Sequence, residues 1–119
     1  MIASFSVENF RSIDDRITLS FEASAAIKDM DNEGFTMMAG GRILNAKAFF
    51  GANSSGKSNV FRAVARMRSL VIQSVRLNNN EQLRYEPFLL SNKPPRHTEF
   101  EISFVDGVDT FRYGFKYNA

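Results

Sequence analysis

The segment Gly51-Ala52-Asn53-Ser54-Ser55-Gly56-Lys57-Ser58 sets two glycines, a lysine and a hydroxyl at the spacing G-x-x-x-x-G-K-[ST]. Glycine at 51 and 56 permits backbone torsions that a Cβ forbids, so successive N–H groups turn inward and cradle an oxyanion. Lys57 adds a compact positive charge for the β and γ phosphates, and the Ser58 hydroxyl is a ligand for Mg²⁺. A helix starting at this point contributes its N-terminal dipole and free N–H groups. The three contributions converge on one polyanion, the triphosphate of a nucleotide, with ATP and Mg²⁺ as the expected pair. The same eight residues also arise by chance at an ordinary strand-to-helix turn, so the flanking elements decide.

Those flanks have the required form. Ala46 to Phe50 is short and mostly apolar, the pattern of a strand buried on both faces. A helix is expected from Gly56 or Lys57 to about Arg76, with Val60, Val64, Met67, Val71 and Val75 as its buried stripe and Phe61 and Leu70 widening it. Leu77 to Asn80 stops it. Upstream, residues 2 to 10 alternate as a strand. A turn follows at Arg11 to Asp15, and Ile17, Leu19 and Phe21 mark a second strand antiparallel to the first. Residues 23 to 34 read as a loop, Phe35 to Ala39 as a short strand, and Gly40-Gly41 as a turn. Downstream, Phe100, Ile102 and Phe104 and then Phe111, Tyr113, Phe115 and Tyr117 alternate with polar residues around Asp106-Gly107, which predicts a hairpin with one aromatic face. The fold class is α/β: an antiparallel β subdomain, a strand–loop–helix unit and a C-terminal β-hairpin.

Composition narrows the class further. With 44% hydrophobic and 24% charged residues the chain is that of a folded domain, not a disordered tail. Absence of cysteine excludes disulfides, thiolate metal sites and a cysteine nucleophile. A net charge of +2 gives no argument for nucleic-acid binding from total charge. Apolar runs are too short to span a bilayer, and the N-terminus has no basic leader or long apolar core, so a cytoplasmic location is expected. Arg62, Arg66, Arg68 and Arg76 read as the solvated side of the helix, and His97 as an exposed loop residue beside Pro94-Pro95.

The run Phe5-Ser6-Val7-Glu8-Asn9-Phe10-Arg11-Ser12, a second strand, and then Phe50 through Ser58-Asn59 resemble the N-terminal lobe of ABC-type ATPases of the SMC, RecF and OLD groups. The similarity is greatest to the AAA-family ATPases of abortive infection and phage defence, which share the loop form Gly-Ala-Asn-Ser-Ser-Gly-Lys-Ser-Asn and the later Tyr85-Glu86-Pro87-Phe88 before an aromatic hairpin. The resemblance implies a P-loop NTPase half-lobe over residues 1–119. It implies that Arg11 contacts phosphate, that Asn9 and Ser12 line the pocket, and that Asn59 extends the loop. From the residues alone, Arg11 reads as a solvated turn residue. Implied partners are the remainder of the ATPase and a second head in a homodimer, with DNA or RNA reached through an effector and no membrane.

Two features of the resembling ATPases are missing from these residues. No apolar run ends in Asp-Glu: Phe104-Val105-Asp106 comes nearest, but Gly107 follows, and a hairpin turn accounts for the pair. No Leu-Ser-Gly-Gly-Gln signature is present. No catalytic residue is therefore assigned, and binding without turnover is expected of these residues alone. A small-molecule kinase, an ABC transporter subunit and a non-hydrolysing nucleotide sensor remain as rival readings of the same loop.

Overall fold

The computed structural model describes residues 1–23, 35–38, 41–51, 56–78 and 81–118. Six strands and one helix follow in the order β1 (Ile2–Glu8), β2 (Ile17–Ser20), β3 (Phe35–Met38), β4 (Gly41–Leu44), α1 (Lys57–Gln73), β5 (Thr98–Asp106) and β6 (Asp109–Tyr117) among the described residues. The expected loop at 23 to 34 and Gly40 lie almost wholly outside them. Gly41 opens β4 at φ 116 and does not sit in a turn.

Alternation sets the sheet. Ala3, Phe5 and Val7 of β1 are buried, and β1 pairs antiparallel with β2 on one side (Phe5 opposite Leu19) and with β5 on the other (Phe5 opposite Ile102). The C-terminal hairpin therefore forms no separate unit: it joins the N-terminal pair in one four-stranded sheet, β2-β1-β5-β6. Its turn lies one residue later than the sequence suggests. Asp106 and Asp109 are still paired, so Gly107 and Val108 make the two-residue connection, with Gly107 at φ 62 as a primed turn requires at its first central position. β3 and β4 make a separate two-stranded ladder. The segment after β2 ties it to the main sheet through Leu44 N–H to the Phe21 carbonyl at 2.7 Å, and Ile43 packs on Ala3 and Val105.

The main core lies between α1 and one face of the sheet. Phe100, fully buried, is its centre, with ring centroids of Phe10 at 5.6 Å, Phe115 at 5.7 Å, Tyr117 at 6.2 Å and Phe5 at 6.4 Å. The helix meets this cluster through Ala63, Met67 and Leu70, at i, i+4 and i+7. The valine stripe expected from the sequence is thus rotated about its axis: Val64 and Val71 are partly exposed and Val75 is 92% exposed, while Val60 only borders the core. Ala63 is fully buried against the sheet, and the bulkier valines fall to the flank.

The largest correction concerns residues 46–50. They form no strand, and Phe50 is 93% exposed; Phe49 packs edge-on to Phe61 at 5.6 Å, and Lys47 donates to the Ser20 carbonyl at 2.6 Å. A doubly buried strand needs a hydrogen-bonded neighbour and cover on both faces. None of the described strands pairs with this segment. No helix among the described residues is long and apolar enough to cross a membrane.

Candidate nucleotide site

The site is built where α1 begins. Gly56 occupies the N-cap position at φ 87, with no side-chain cap, and the first turn carries no acidic residue. Its leading N–H groups and positive dipole end are left for an outside anion. An alanine here would be strained by the torsion, and its Cβ would lie 3.2 Å from Ser12 Oγ. Lys57 sits in the first turn and donates from Nζ to the Gly51 carbonyl, which draws the two ends of the loop together around its ammonium. Ser58 is exposed at the same end of the helix. Ala52, Asn53, Ser54 and Ser55 lie outside the described residues.

Ser12 reaches this point from the turn between β1 and β2. Its hydroxyl accepts a 2.6 Å bond from Asn59 Nδ2, and Arg62 in turn donates to Asn59 Oδ1 at 3.1 Å. The turn owes its shape to two left-handed residues, Asn9 at φ 52 and Arg11 at φ 50, and to reciprocal backbone bonds between Phe10 and Ile13 of 2.8 and 2.9 Å. Together these elements enclose a cavity of about 510 Å³, with Ser12, Gly51, Gly56 and Lys57 on one side and Ile13, Phe49 and Val60 among the apolar residues lining it. Two carboxylates also line it. Asp14 is paired with Arg96 and Asp15 with Lys93, and the Lys93 hydrogen bond and charge hold the Asp15 carboxyl below its ordinary value.

The structure brings Gly51, Gly56, Lys57, Ser58, Asn59 and Ser12 together, and leaves Asn9 and Arg11 elsewhere. Asn9 is 3% exposed and fully engaged: its amide nitrogen donates to the Arg96 carbonyl at 2.9 Å and its amide oxygen accepts from Phe88 N–H at 3.0 Å. It braces the 88–96 segment against the sheet and does not line the cavity. Arg11 is held by Glu86 twice, through a side-chain bond of 2.7 Å and from its backbone N–H to the Glu86 carbonyl at 2.9 Å. A short, flexible polar side chain adopts left-handed backbone locally, whereas the Arg11 backbone is fixed by its neighbours.

Glu86, named in the sequence only as part of Tyr85-Glu86-Pro87-Phe88 and given no role there, is the centre of an ion-pair cluster. Arg66 meets its second oxygen at 2.7 Å and Arg84 approaches at 3.3 Å. Burial raises the Glu86 carboxyl, but hydrogen bonds from Arg11 and Arg66 and the charges of Arg11 and Arg84 outweigh it and hold the group below its ordinary value. A folded value depressed in this way contributes stability that is fully present above the ordinary glutamate value of about 4.3 and is lost as pH falls through the folded value. Glu86→Ala, which strands two half-buried guanidiniums, is expected to cost about 2 kcal/mol at neutral pH. Melting curves of both proteins from neutral pH into acid check this: the difference should shrink as Glu86 protonates, and a difference constant with pH would exclude the charge as its cause.

A family model described as "AAA domain, putative AbiEii toxin, Type IV TA system" matches residues 48–119, from the approach to the glycine-rich loop through the aromatic hairpin. Comparisons with curated proteins and with solved structures gave no match. The family supplies a P-loop NTPase fold, of which the antiparallel sheet and α1 are parts consistent with it. With most of its length covered by that model, the chain belongs to the AAA domain family and is an AAA-family ATPase related to abortive infection.

Proposed function

We propose that the chain binds ATP with Mg²⁺ in the cavity between the β1–β2 turn and the start of α1. In this reading it is the nucleotide-binding lobe of an SMC/OLD-like ATPase. The complete assembly closes two heads on nucleotide and so controls an effector acting on DNA or RNA. The observation that carries the reading is the uncapped start of α1 with Lys57 already turned onto the Gly51 carbonyl. Exchange of that carbonyl for phosphate oxygens keeps the ammonium satisfied and needs no new backbone conformation at Gly56. The first-turn N–H groups face the same anion. Ser58 would hold Mg²⁺, whose charge offsets that of the phosphates. Ala52 to Ser55 contribute backbone N–H groups as the motif requires, and the Ser12–Asn59 bond fixes the sheet to the loop. Arg11 reaches phosphate only by leaving Glu86, so Arg11→Ala should weaken binding less than loss of Lys57.

A non-hydrolysing nucleotide sensor is the second reading, favoured by one observation. The carboxylates lining the cavity, Asp14 and Asp15, are each engaged by a cation, so neither is free to orient water among the described residues. Titration with a fluorescent ATP analogue, with and without Mg²⁺, tests the binding. Mg²⁺ should tighten it in the parent chain but not in Ser58→Ala. Affinity indifferent to Mg²⁺ in both would remove the role given to Ser58. Phosphate release under saturating Mg·ATP, absent in Lys57→Ala, would exclude the sensor.

A further inference from the structure

Glu86 is surrounded by more positive charge than one carboxylate neutralises. Arg11 and Arg66 take its two oxygens at 2.7 Å and Arg84 lies at 3.3 Å. Arg62, one turn before Arg66 on α1, lines the same cleft and has no carboxylate partner among the described residues. Arg11, Arg62 and Arg66 thus line, with Glu86, a cleft of about 300 Å³ between α1 and the Phe10–Arg11 turn, and Arg84 meets the same carboxylate from outside it, although the whole chain carries only +2. Arg62, Arg66 and Ser69 recur at i, i+4 and i+7, so their side chains share one helix face. The cleft is open: Arg84 is 71% exposed, while Glu86 is 16% exposed. Guanidinium forks match phosphate oxygens in geometry and, being weakly hydrated, leave water for them readily.

We propose that this cleft is a second anion site, separate from the glycine-rich loop, which takes phosphate oxygens and uses the Glu86 carboxylate as an internal stand-in when no ligand is bound. The ligand of choice is the phosphodiester backbone of a nucleic acid, since exposed Arg84 and Arg62 extend the charge beyond the span of one phosphate. A free polyphosphate offers the same oxygens. The site does not depend on the nucleotide reading, and Lys57→Ala removes the loop from the measurement.

The test is anisotropy of a short fluorescein-labelled single strand, as RNA and as DNA, with tripolyphosphate titrated separately by calorimetry, all in the Lys57→Ala background. Arg62→Ala with Arg84→Ala, both at exposed positions, should lower strand affinity about tenfold and flatten the salt dependence by roughly 1.4 in log–log slope, two contacts at about 0.7 each. Glu86→Gln, which removes the competing carboxylate but keeps its shape, should tighten binding several-fold, and by more than the exposed control Asp109→Asn, which changes net charge equally. A carboxylate with only a structural role would weaken or leave binding unchanged. Strand binding with that salt slope assigns the cleft to nucleic acid, and binding of tripolyphosphate alone assigns it to free polyphosphate. No binding of either, affinity unmoved by the arginine pair, or weaker binding by folded Glu86→Gln overturns the site.

Discussion

Lys57→Ala is expected to reduce ATP affinity by at least a hundredfold while leaving the melting temperature close to that of the parent. The side chain lies in the first turn of α1, outside the core, and its bond is to the Gly51 carbonyl at the mouth of the loop. In the folded, ligand-free chain it therefore contributes one partly solvated bond, whose loss returns the carbonyl to water at small cost. With nucleotide bound it is the compact charge on the phosphates. Loss of charge-assisted contacts to them removes about 3 kcal/mol or more, which is the hundredfold. A fluorescent ATP analogue titrated against both proteins, alongside a melting curve for each, separates the two effects. Equal affinity would sink the nucleotide assignment; a collapsed melting temperature would show Lys57 to be structural.

Phe100→Ala should have the largest effect on folding, a loss of about 4 kcal/mol. Phe100 has no exposed surface and joins β1, β5, β6 and the turn residue Phe10 through four ring contacts. Truncation leaves a void at the point where the helix and both hairpins meet, and the neighbours are tied to a sheet that collapses only partly. Domains of this size have only about 5–15 kcal/mol of stability, so the variant should be near unfolding at 37 °C. Urea titration followed by circular dichroism measures it, with Phe50→Ala as comparison. Phe50 is 93% exposed, and its removal should change stability little. Similar losses for the two would mean that the core is not centred on Phe100.

The glycine at the start of α1 and the alternating strands were legible in the sequence because both rest on local physics. Gly56 is glycine because its left-handed torsion and the nearby Ser12 hydroxyl exclude a Cβ, and such a requirement leaves its mark at one position. The alternation of Phe5 and Val7, and of Phe100, Ile102 and Phe104, reports a half-buried strand wherever that strand is placed. The helix start was fixed the same way, by Gly56 and the end of the glycine-rich loop.

Which strands pair, and which face the helix buries, depended on elements far apart in the chain. Nothing near Phe5 specifies that Ile102 lies across from it, so the C-terminal hairpin read as a unit of its own. The apolar residues on α1 offered more than one plausible stripe, and packing against the sheet buried Ala63, Met67 and Leu70 while leaving Val64 and Val71 partly exposed. The segment 46–50 has the composition of a buried strand, but a strand is made by its neighbours, and none is provided among the described residues. Glu86 shows the limit most plainly. Its ion pairs span 75 residues to Arg11 and 20 to Arg66, distances at which no spacing rule operates. The sequence by itself determined a glycine, a lysine and a serine at the head of a helix. Only the tertiary structure decided that Ser12 and Asn59 are bonded to each other beside it, that Asn9 braces a neighbouring segment, and that Arg11 is held by a carboxylate, because these are contacts across the fold and carry no local signature.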